Sequence, residues 1–503
     1  MIGTRLLKLF FPAPSHPLAN AKEARRIAGD IGVMADAKAV GEAAGWFESL
    51  SSADNLPPAL RLERSLEIAL ASLPQARRQV RDYMAGANKN RAQEQQQWRL
   101  NHDYWHHLGL ALERCLADAA AGPKALDALR PRLALLLTAL LMAGNGEARW
   151  QRLRHNQLGP ELWARLGKAY LLAAQEKLAD GEVQPYDAAE GASSPAREYL
   201  KLLLLHTAAT ESLLPDEIGL AERLAARLLP HFALRHETAA DAMAWVDAAT
   251  PLPPTRQART QPATPGLRYL CRGDGLLELE RLRAAATQSR EVPAELGGGL
   301  PLSRESLLRV LEHLARCWSP APPLRKSVRH RIASRISVVS GLPGLLRYID
   351  GRGYSPEDIH NWQVEDISQG GMSVKMELLR NGWAKAGGLI CFQPENGTNW
   401  QVGVIRRFLR ENEIQGAAGI EILSKAPRVV TAMDAGLQTE LVLLDPLQHD
   451  SSVHALLEAG YWEEGGTLGA FVDGRPWRLH AHARIETQGE WALGLYIAER
   501  LDD

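Results

Sequence analysis

The chain has 503 residues, more than one ordinary domain holds, so we expect about two to four domains. Its 58 basic and 59 acidic residues almost cancel, which argues against a nucleic-acid-binding protein, because such proteins normally carry a strongly basic face. The four cysteines show no CxxC spacing, which indicates neither a disulfide framework nor a zinc site and favours a reducing cytoplasm.

Residue usage changes sharply along the chain. The first 250 residues contain only 10 Val or Ile and are rich in Ala, Leu, Glu, Arg and Gln, whereas residues 326–503 contain 24 Val or Ile. Strong helix formers dominate the first part and β-branched residues the second. The sequence therefore predicts a multidomain α+β protein with an all-α helical array over residues 1–249.

The longest apolar run, from Leu133 to Ala143, covers eleven residues. A bilayer crossing needs about twenty, so this run predicts a buried core helix and no membrane span. We expect a soluble cytoplasmic protein.

Proline usage marks a boundary near the middle of the chain. Residues 250–265 contain five prolines and are predicted to be an extended linker. The following residues, 266–323, are predicted to form a small, mostly helical connecting region. Its second helix should run from Ser303, as N-cap, to Cys317.

The remaining residues show two-residue alternation of apolar and polar side chains. Residues 324–427 are predicted to form an antiparallel β-barrel, and residues 428–503 a β-rich extension. Turn residues at Asp350-Gly351 and Asn396-Gly397 support hairpins in the barrel. Its candidate strands are 336–340, 344–349, 362–367, 372–377, 389–393, 400–408 and 417–423. Those of the extension lie near 439–444, 468–472, 477–484 and 491–498.

A basic arm lies just ahead of this barrel. No acidic residue occurs between Glu312 and Asp350, a gap that contains seven basic residues: Arg316, Arg325, Lys326, Arg329, Arg331, Arg335 and Arg347. The guanidinium group is a planar fork of donors that matches phosphate oxygens two at a time. The arm is therefore predicted to bind an anion.

A second motif follows about thirty-five residues later. Asp366 and Ser368 alternate with the apolar residues Val364 and Ile367, which predicts the end of a strand. The pair Gly370-Gly371 allows the backbone to approach a ligand closely. We expect this strand end to complete the site that the arm begins.

These two motifs, with the strands that follow, give the sequence a resemblance to a known family. Arg325-x-x-x-Arg329 before the first strand and Asp366-x-Ser368-x-x-Gly371 at a strand end resemble the PilZ family, bacterial receptors for cyclic di-GMP. Residues 399–407 and 418–423 are similar to later barrel strands of that family. The resemblance covers about residues 324–425.

The resemblance implies a role for each motif residue toward cyclic di-GMP. Arg325 and Arg329 would bind phosphates and guanine edges, with Arg331 as an auxiliary ligand. Asp366 would accept hydrogen bonds from guanine, Ser368 would bond a phosphate or a base edge, and Gly371 would keep the ligand-facing strand clear.

Several alternatives remain open on the sequence. Arg331 and Arg335 form a second RxxxR directly against the predicted strand, and the first pair is preferred because residues 324–330 lack apolar periodicity. The expected function is a cyclic di-GMP receptor that couples ligand binding to rearrangement or protein contacts of the helical half. The alternative is a helical scaffold whose barrel binds no ligand. We expect no catalysis, metal or cofactor, and no nucleic-acid partner.

Overall fold

The computed structural model describes residues 16–86, 90–120, 127–189, 191–256, 264–289, 293–320, 328–352, 355–434 and 437–501. The chain divides into two compact units. The first comprises Met1–Arg154, Leu158–Thr210 and Pro215–Pro323, and the second comprises His155–Gln157, Glu211–Leu214 and Leu324–Asp503. The first is mainly helical and the second contains two closed β-barrels, which confirms the predicted multidomain α+β class.

Long helices make up most of the first unit. Several begin with a proline, which suits the first helical position because its missing N–H has no partner there. Pro58, Pro160 and Pro195 are examples, and the Ser194 side chain accepts a hydrogen bond from the Arg197 N–H. The helices are α1 (Ala21–Gly32), α2 (Asp36–Ser52), α3 (Pro58–Met84), α4 (Arg91–Ala120), α5 (Leu133–Leu153), α6 (Pro160–Gln175), α7 (Pro195–Thr207) and α8 (Pro215–Leu228).

Helix α5 lies in the core of this unit. Most of its side chains are buried, among them Leu137, Leu140 and Trp150. The prediction of a buried core helix over Leu133 to Ala143 is therefore confirmed. Among the described residues, no helix is both long and apolar enough to cross a membrane.

A small sheet with short helices ends the first unit. Strands β1 (Ala233–Arg235), β2 (Ala242–Asp247), β3 (Thr255–Arg256) and β4 (Leu267–Cys271) pair in the order β1-β4-β2-β3. Strand β3 lies within the residues predicted to be an extended linker and pairs with β2. The sheet is followed by helices α9 (Gly275–Gln288), α10 (Ala294–Gly297) and α11 (Arg304–Trp318), and Ser303 is the N-cap of α11 as predicted.

The first barrel of the second unit is closed by six strands in the order β10-β7-β6-β5-β8-β9. Alternate side chains point inward to a core that includes Val338, Trp362, Phe392 and Phe408. The strands are β5 (His330–Ser340), β6 (His360–Ser368), β7 (Gly371–Glu377), β8 (Leu389–Pro394), β9 (Gln401–Arg410) and β10 (Gln415–Ser424).

One predicted strand of this barrel is wrong. Residues 344–349 lie in helix α12 (Gly341–Ile349), and Asp350-Gly351 follows the end of this helix instead of joining two strands. The reason is the spacing of Leu342, Leu345 and Tyr348, which places all three buried side chains on one helical face.

Residues 428–501 form a second closed barrel with the strand order β11-β12-β13-β16-β15-β14. The two barrels share an apolar interface, to which the first contributes Trp400 and Val402 and the second contributes Leu456, Trp491 and Leu493. The six strands are β11 (Arg428–Asp434), β12 (Leu437–Leu443), β13 (Ser451–Glu458), β14 (Thr467–Val472), β15 (Arg475–Gln488) and β16 (Trp491–Arg500).

Candidate functional site

The antiparallel pairing of β5 and β6 brings the two sequence motifs together. In this register His330 lies opposite Ile367, and Arg331 lies opposite Asp366. The end of the basic arm and the start of the acidic motif, which are about thirty-five residues apart in the sequence, therefore share one end of one strand pair.

The first residues of β5 lie open on one side. Strand β8 pairs with β5 from Ile336 onward, and the Arg335 carbonyl oxygen accepts from the Glu395 N–H, so among the described residues no strand pairs with 330–334 on that side. The side chains of Arg331, Ile332 and Arg335 are exposed. This edge leaves backbone and guanidinium donors accessible to a ligand.

An ion pair connects the motifs directly. Arg329 Nη1 lies 2.9 Å from Oδ1 and 3.3 Å from Oδ2 of Asp366. Both side chains are partly exposed, at 36% and 26%. Exposed ion pairs contribute at most about 1 kcal/mol, so a ligand with stronger charge complementarity can displace this one.

A surface cavity of about 550 Å³ lies beside this pair. Its volume is in the range of small-molecule sites, about 300–1,000 Å³. The walls come from the open part of β5 and from the facing part of β6: Arg331, Ile332, Ala333, Gln363, Val364, Glu365 and Asp366. The cavity offers a guanidinium and two carboxylates, so it can pair with an anionic group and accept hydrogen bonds from ligand N–H groups.

Glu365, one of the two carboxylates of the cavity, is held by a neighbouring lysine. Lys375 Nζ lies 3.2 Å from Glu365 and 3.5 Å from Glu411. The hydrogen bond to Glu365, with the nearby charges of both carboxylates, raises the pKa of Lys375 above its ordinary value. Glu365 is thus already paired, and Asp366 is the carboxylate that only Arg329 contacts by an ion pair among the described residues.

Ser368 and Gly371 lie on the hairpin between β6 and β7. The Ser368 hydroxyl donates a hydrogen bond to the Gly371 carbonyl oxygen at 3.0 Å. A Cβ atom at Gly371 would lie 2.5 Å from the carbonyl oxygen of Ile420 on β10. The close approach at Gly371 is therefore to a neighbouring strand.

The predicted site residues thus divide into three groups. Arg329, Arg331 and Asp366 meet at one end of β5 and β6, whereas Ser368 and Gly371 bond each other at the adjoining hairpin. Arg325 lies outside the described residues.

The structure adds two residues that sequence reasoning did not single out, Gln363 and Glu365. The alternation along β6 could have identified both residues. Trp362 and Val364 are buried, so Gln363 and Glu365 face the other side of the strand.

Comparison with known proteins gives a family match in the helical half of the chain. Residues 22–239 match the family model of the N-terminal domain of the cyclic-di-GMP receptor FimW. No curated protein matches the sequence.

Among solved structures, the PlzA protein of Borreliella burgdorferi in complex with c-di-GMP aligns with 34% of this chain and 86% of its own, at 8% identity and a TM-score of 0.14. A likeness this weak supports no inference about fold or ligand. The family match confirms the predicted resemblance to cyclic di-GMP receptors. The matched residues lie in the helical half of the chain. Residues 22–239 of this chain are similar to the N-terminal domain of the cyclic-di-GMP receptor FimW.

Proposed function

We propose that the chain is a receptor for cyclic di-GMP, with a PilZ-like binding site on the first barrel. The observation that carries this proposal is the strand register that places Arg331 opposite Asp366 and lets Arg329 contact the same carboxylate. The match of residues 22–239 to a cyclic-di-GMP receptor family supports it independently, because that match rests on different residues.

Each group suits one part of this dianionic dinucleotide. Arg329 and Arg331 would bind phosphates or the O6 and N7 atoms of guanine, a bidentate contact worth about 1–3 kcal/mol of discrimination in nucleic-acid sites. Asp366 would accept from guanine N–H groups once Arg329 turns to the ligand. Ser368 would bond a phosphate or base edge, and Arg325 would add a further guanidinium from the arm.

We further propose that ligand binding at the basic arm changes the protein contacts that the helical half makes. In the sequence, this arm joins the helical half to the first barrel. The receptor would then respond to the ligand by a protein contact of its helical half, without a catalytic step.

A second candidate is a protein-binding scaffold whose barrel takes no ligand. The observation in its favour is that Asp366 already pairs with Arg329, so this arginine has a partner without any dinucleotide. A scaffold would show no heat of binding with cyclic di-GMP.

Isothermal titration calorimetry of the full chain with cyclic di-GMP tests the proposal. We expect Arg329→Ala and Asp366→Ala each to weaken binding strongly. Arg428→Ala is the matched control, because Arg428 forms an exposed ion pair with Asp473 on the second barrel and should leave the affinity unchanged. Wild-type affinity in both site variants would overturn the site, and absence of binding by the wild-type chain would favour the scaffold.

A further inference from the structure

The helical unit contains a basic cavity of about 530 Å³ that the proposed function does not use. It lies among helices α3, α5, α7 and α8, and Gly298 closes one side. Six cationic side chains line it: Arg77, Arg78, Arg81, Arg149, Lys201 and Arg223. Glu222 is the acidic residue among the lining residues.

Some of these cations are neutralised by the protein. Arg77 pairs with Asp187, with a shortest contact of 2.6 Å, and Arg78 pairs with Asp36 at 2.7 Å. Lys201 lies 3.7 Å from Glu198. These contacts hold the side chains at the cavity wall in defined orientations.

The other cationic side chains either share a carboxylate or lack a direct ion pair. Arg149 and Arg152 share Glu222, at 2.6 and 3.1 Å. Arg81 and Arg223 form no direct ion pair in the described part of the chain, although Asp36 is near Arg81 and Glu222 and Asp216 are near Arg223. Like charges concentrated in a concave site raise the local positive potential and attract anions.

A second cavity adjoins the first and is lined by four cationic residues and by Glu198 and Glu222. This smaller cavity of about 50 Å³ shares Arg77, Arg149, Lys201 and Glu222 with the larger one and is also lined by Arg152. Arg152 is 5% exposed, and its Nε and Nη1 atoms have no hydrogen-bond partner among the described residues. Both atoms are buried, so Arg152 would act on an anion in the cavity through its positive charge and without a direct contact.

Arg223 is held in place before any ligand binds. Its Nε donates to the carbonyl oxygen of Leu296 at 2.6 Å. Gly298 has a φ of +59°, and a Cβ atom at this position would lie 2.8 Å from Arg223 Nη1. The glycine thus allows the guanidinium to lie against the backbone.

We propose that this cavity binds a diphosphate-bearing small molecule. Guanidinium forks match phosphate oxygens two at a time, and two guanidiniums without a direct ion pair, Arg81 and Arg223, suit a ligand with at least two negative charges. The apolar part of the wall, formed by Pro74, Val80, Met84 and Ala226, would contact the organic part of the ligand. The volume lies in the range of small-molecule sites, about 300–1,000 Å³.

Calorimetric titration of the full chain with inorganic pyrophosphate, and separately with adenosine diphosphate, tests this proposal. We expect both to bind, and Arg81→Gln and Arg223→Gln each to weaken binding about tenfold, the effect of losing one charge-assisted hydrogen bond. Arg81 is exposed, so its replacement should not affect folding. Arg281→Gln is the control, because Arg281 is an exposed arginine of the same unit outside the cavity.

Three results would overturn the proposal. One is the absence of binding by the wild-type chain, and another is binding that both cavity variants retain in full. The third is capture of an acidic peptide, such as a glutamate hexamer, through the same arginines without any binding of pyrophosphate. Cyclic di-GMP provides a separate check: its affinity should not change in Arg81→Gln, since we assign that ligand to the barrel.

Discussion

Arg329 contacts both carboxylate oxygens of Asp366, a residue 37 positions later in the sequence, with its Nη1 atom. Each group is thereby oriented and neutralised by the other before a ligand arrives. A phosphate that binds Arg329 must replace the carboxylate, which then becomes free to accept hydrogen bonds from guanine. Displacement of Asp366 from Arg329 would thus make both the guanidinium and the carboxylate available to the ligand.

Loss of this ion pair should affect binding without affecting folding. We expect Arg329→Ala to change the free energy of unfolding by less than about 1 kcal/mol, because both partners are partly exposed and solvent screens them. Thermal unfolding of the full chain measures this change in stability. Arg428→Ala, which breaks a comparable exposed ion pair, is the control. A clearly larger loss of stability in Arg329→Ala would mean that the pair is structural.

The two RxxxR registers differ in what they predict for Arg335, because both use Arg331 and only the second uses Arg335. Arg331 lies opposite Asp366 and lines the cavity, whereas Arg335 lies opposite Gln363 and is not among the lining residues. Arg331→Gln should therefore weaken cyclic di-GMP binding by about tenfold, the effect of one charge-assisted contact, and Arg335→Gln much less. Titration calorimetry compares the two. A larger effect at Arg335 would favour the second register.

Gly371 should be required for the stability of the first barrel. A Cβ atom there would lie 2.5 Å from the Ile420 carbonyl oxygen, so Gly371→Ala must displace β7 or β10, at a cost of about 1–3 kcal/mol. Gly370→Ala is the control, because nothing lies within 4 Å of its added Cβ. Amide hydrogen exchange in β7 and β10 reports the difference. Equal protection in the two variants would contradict the steric explanation.

Local patterns in the sequence predicted the fold class and pointed to some residues of the candidate site. Composition separated the helical half from the β-rich half, and the motif spacing selected Arg329, Arg331 and Asp366, which strand pairing brings together. The strand prediction for residues 344–349 is wrong because a short apolar run fits either period, and the buried positions Leu342, Leu345 and Tyr348 have the helical one.

Other features of the fold depend on contacts that no local pattern contains. Strands β11 and β13 were missed, so residues 428–503 were predicted only as a β-rich extension. Closure of a barrel depends on pairing between strands distant in sequence, such as β11 with β14. The helical cavity is equally non-local, because its arginines come from α3, α5 and α8.

The apolar interface between the barrels should make them depend on each other for stability. Leu456 is fully buried in this interface, so Leu456→Ala should cost about 2–5 kcal/mol. We expect faster amide exchange in both barrels, because the lost contacts are shared. Phe471→Ala, at an outer position that is 68% exposed, is the control. Faster exchange confined to β11–β16 would show that the second barrel opens alone.

His206 should make the helical unit less stable in acid. Burial, with a smaller contribution from the positive charge of Arg152, lowers the pKa of His206 from 6.5 to about 4. Its ring packs edge-on against Trp163 at 5.1 Å between centroids. Between pH 6.5 and 4 the unfolded chain therefore binds a proton that the folded chain does not, so stability is complete above pH 6.5 and falls as the pH decreases.

The loss from this histidine should reach about 2–3 kcal/mol at pH 4.5, since each pKa unit corresponds to about 1.4 kcal/mol. Urea unfolding of the full chain at pH 7.5 and 4.5 measures it, and His206→Gln should remove this part of the pH dependence while other groups titrate as before. His236→Gln replaces an exposed histidine of the same unit and should behave as wild type. An unchanged pH dependence in His206→Gln would assign the acid sensitivity to other groups, because the glutamine side chain cannot take up the proton.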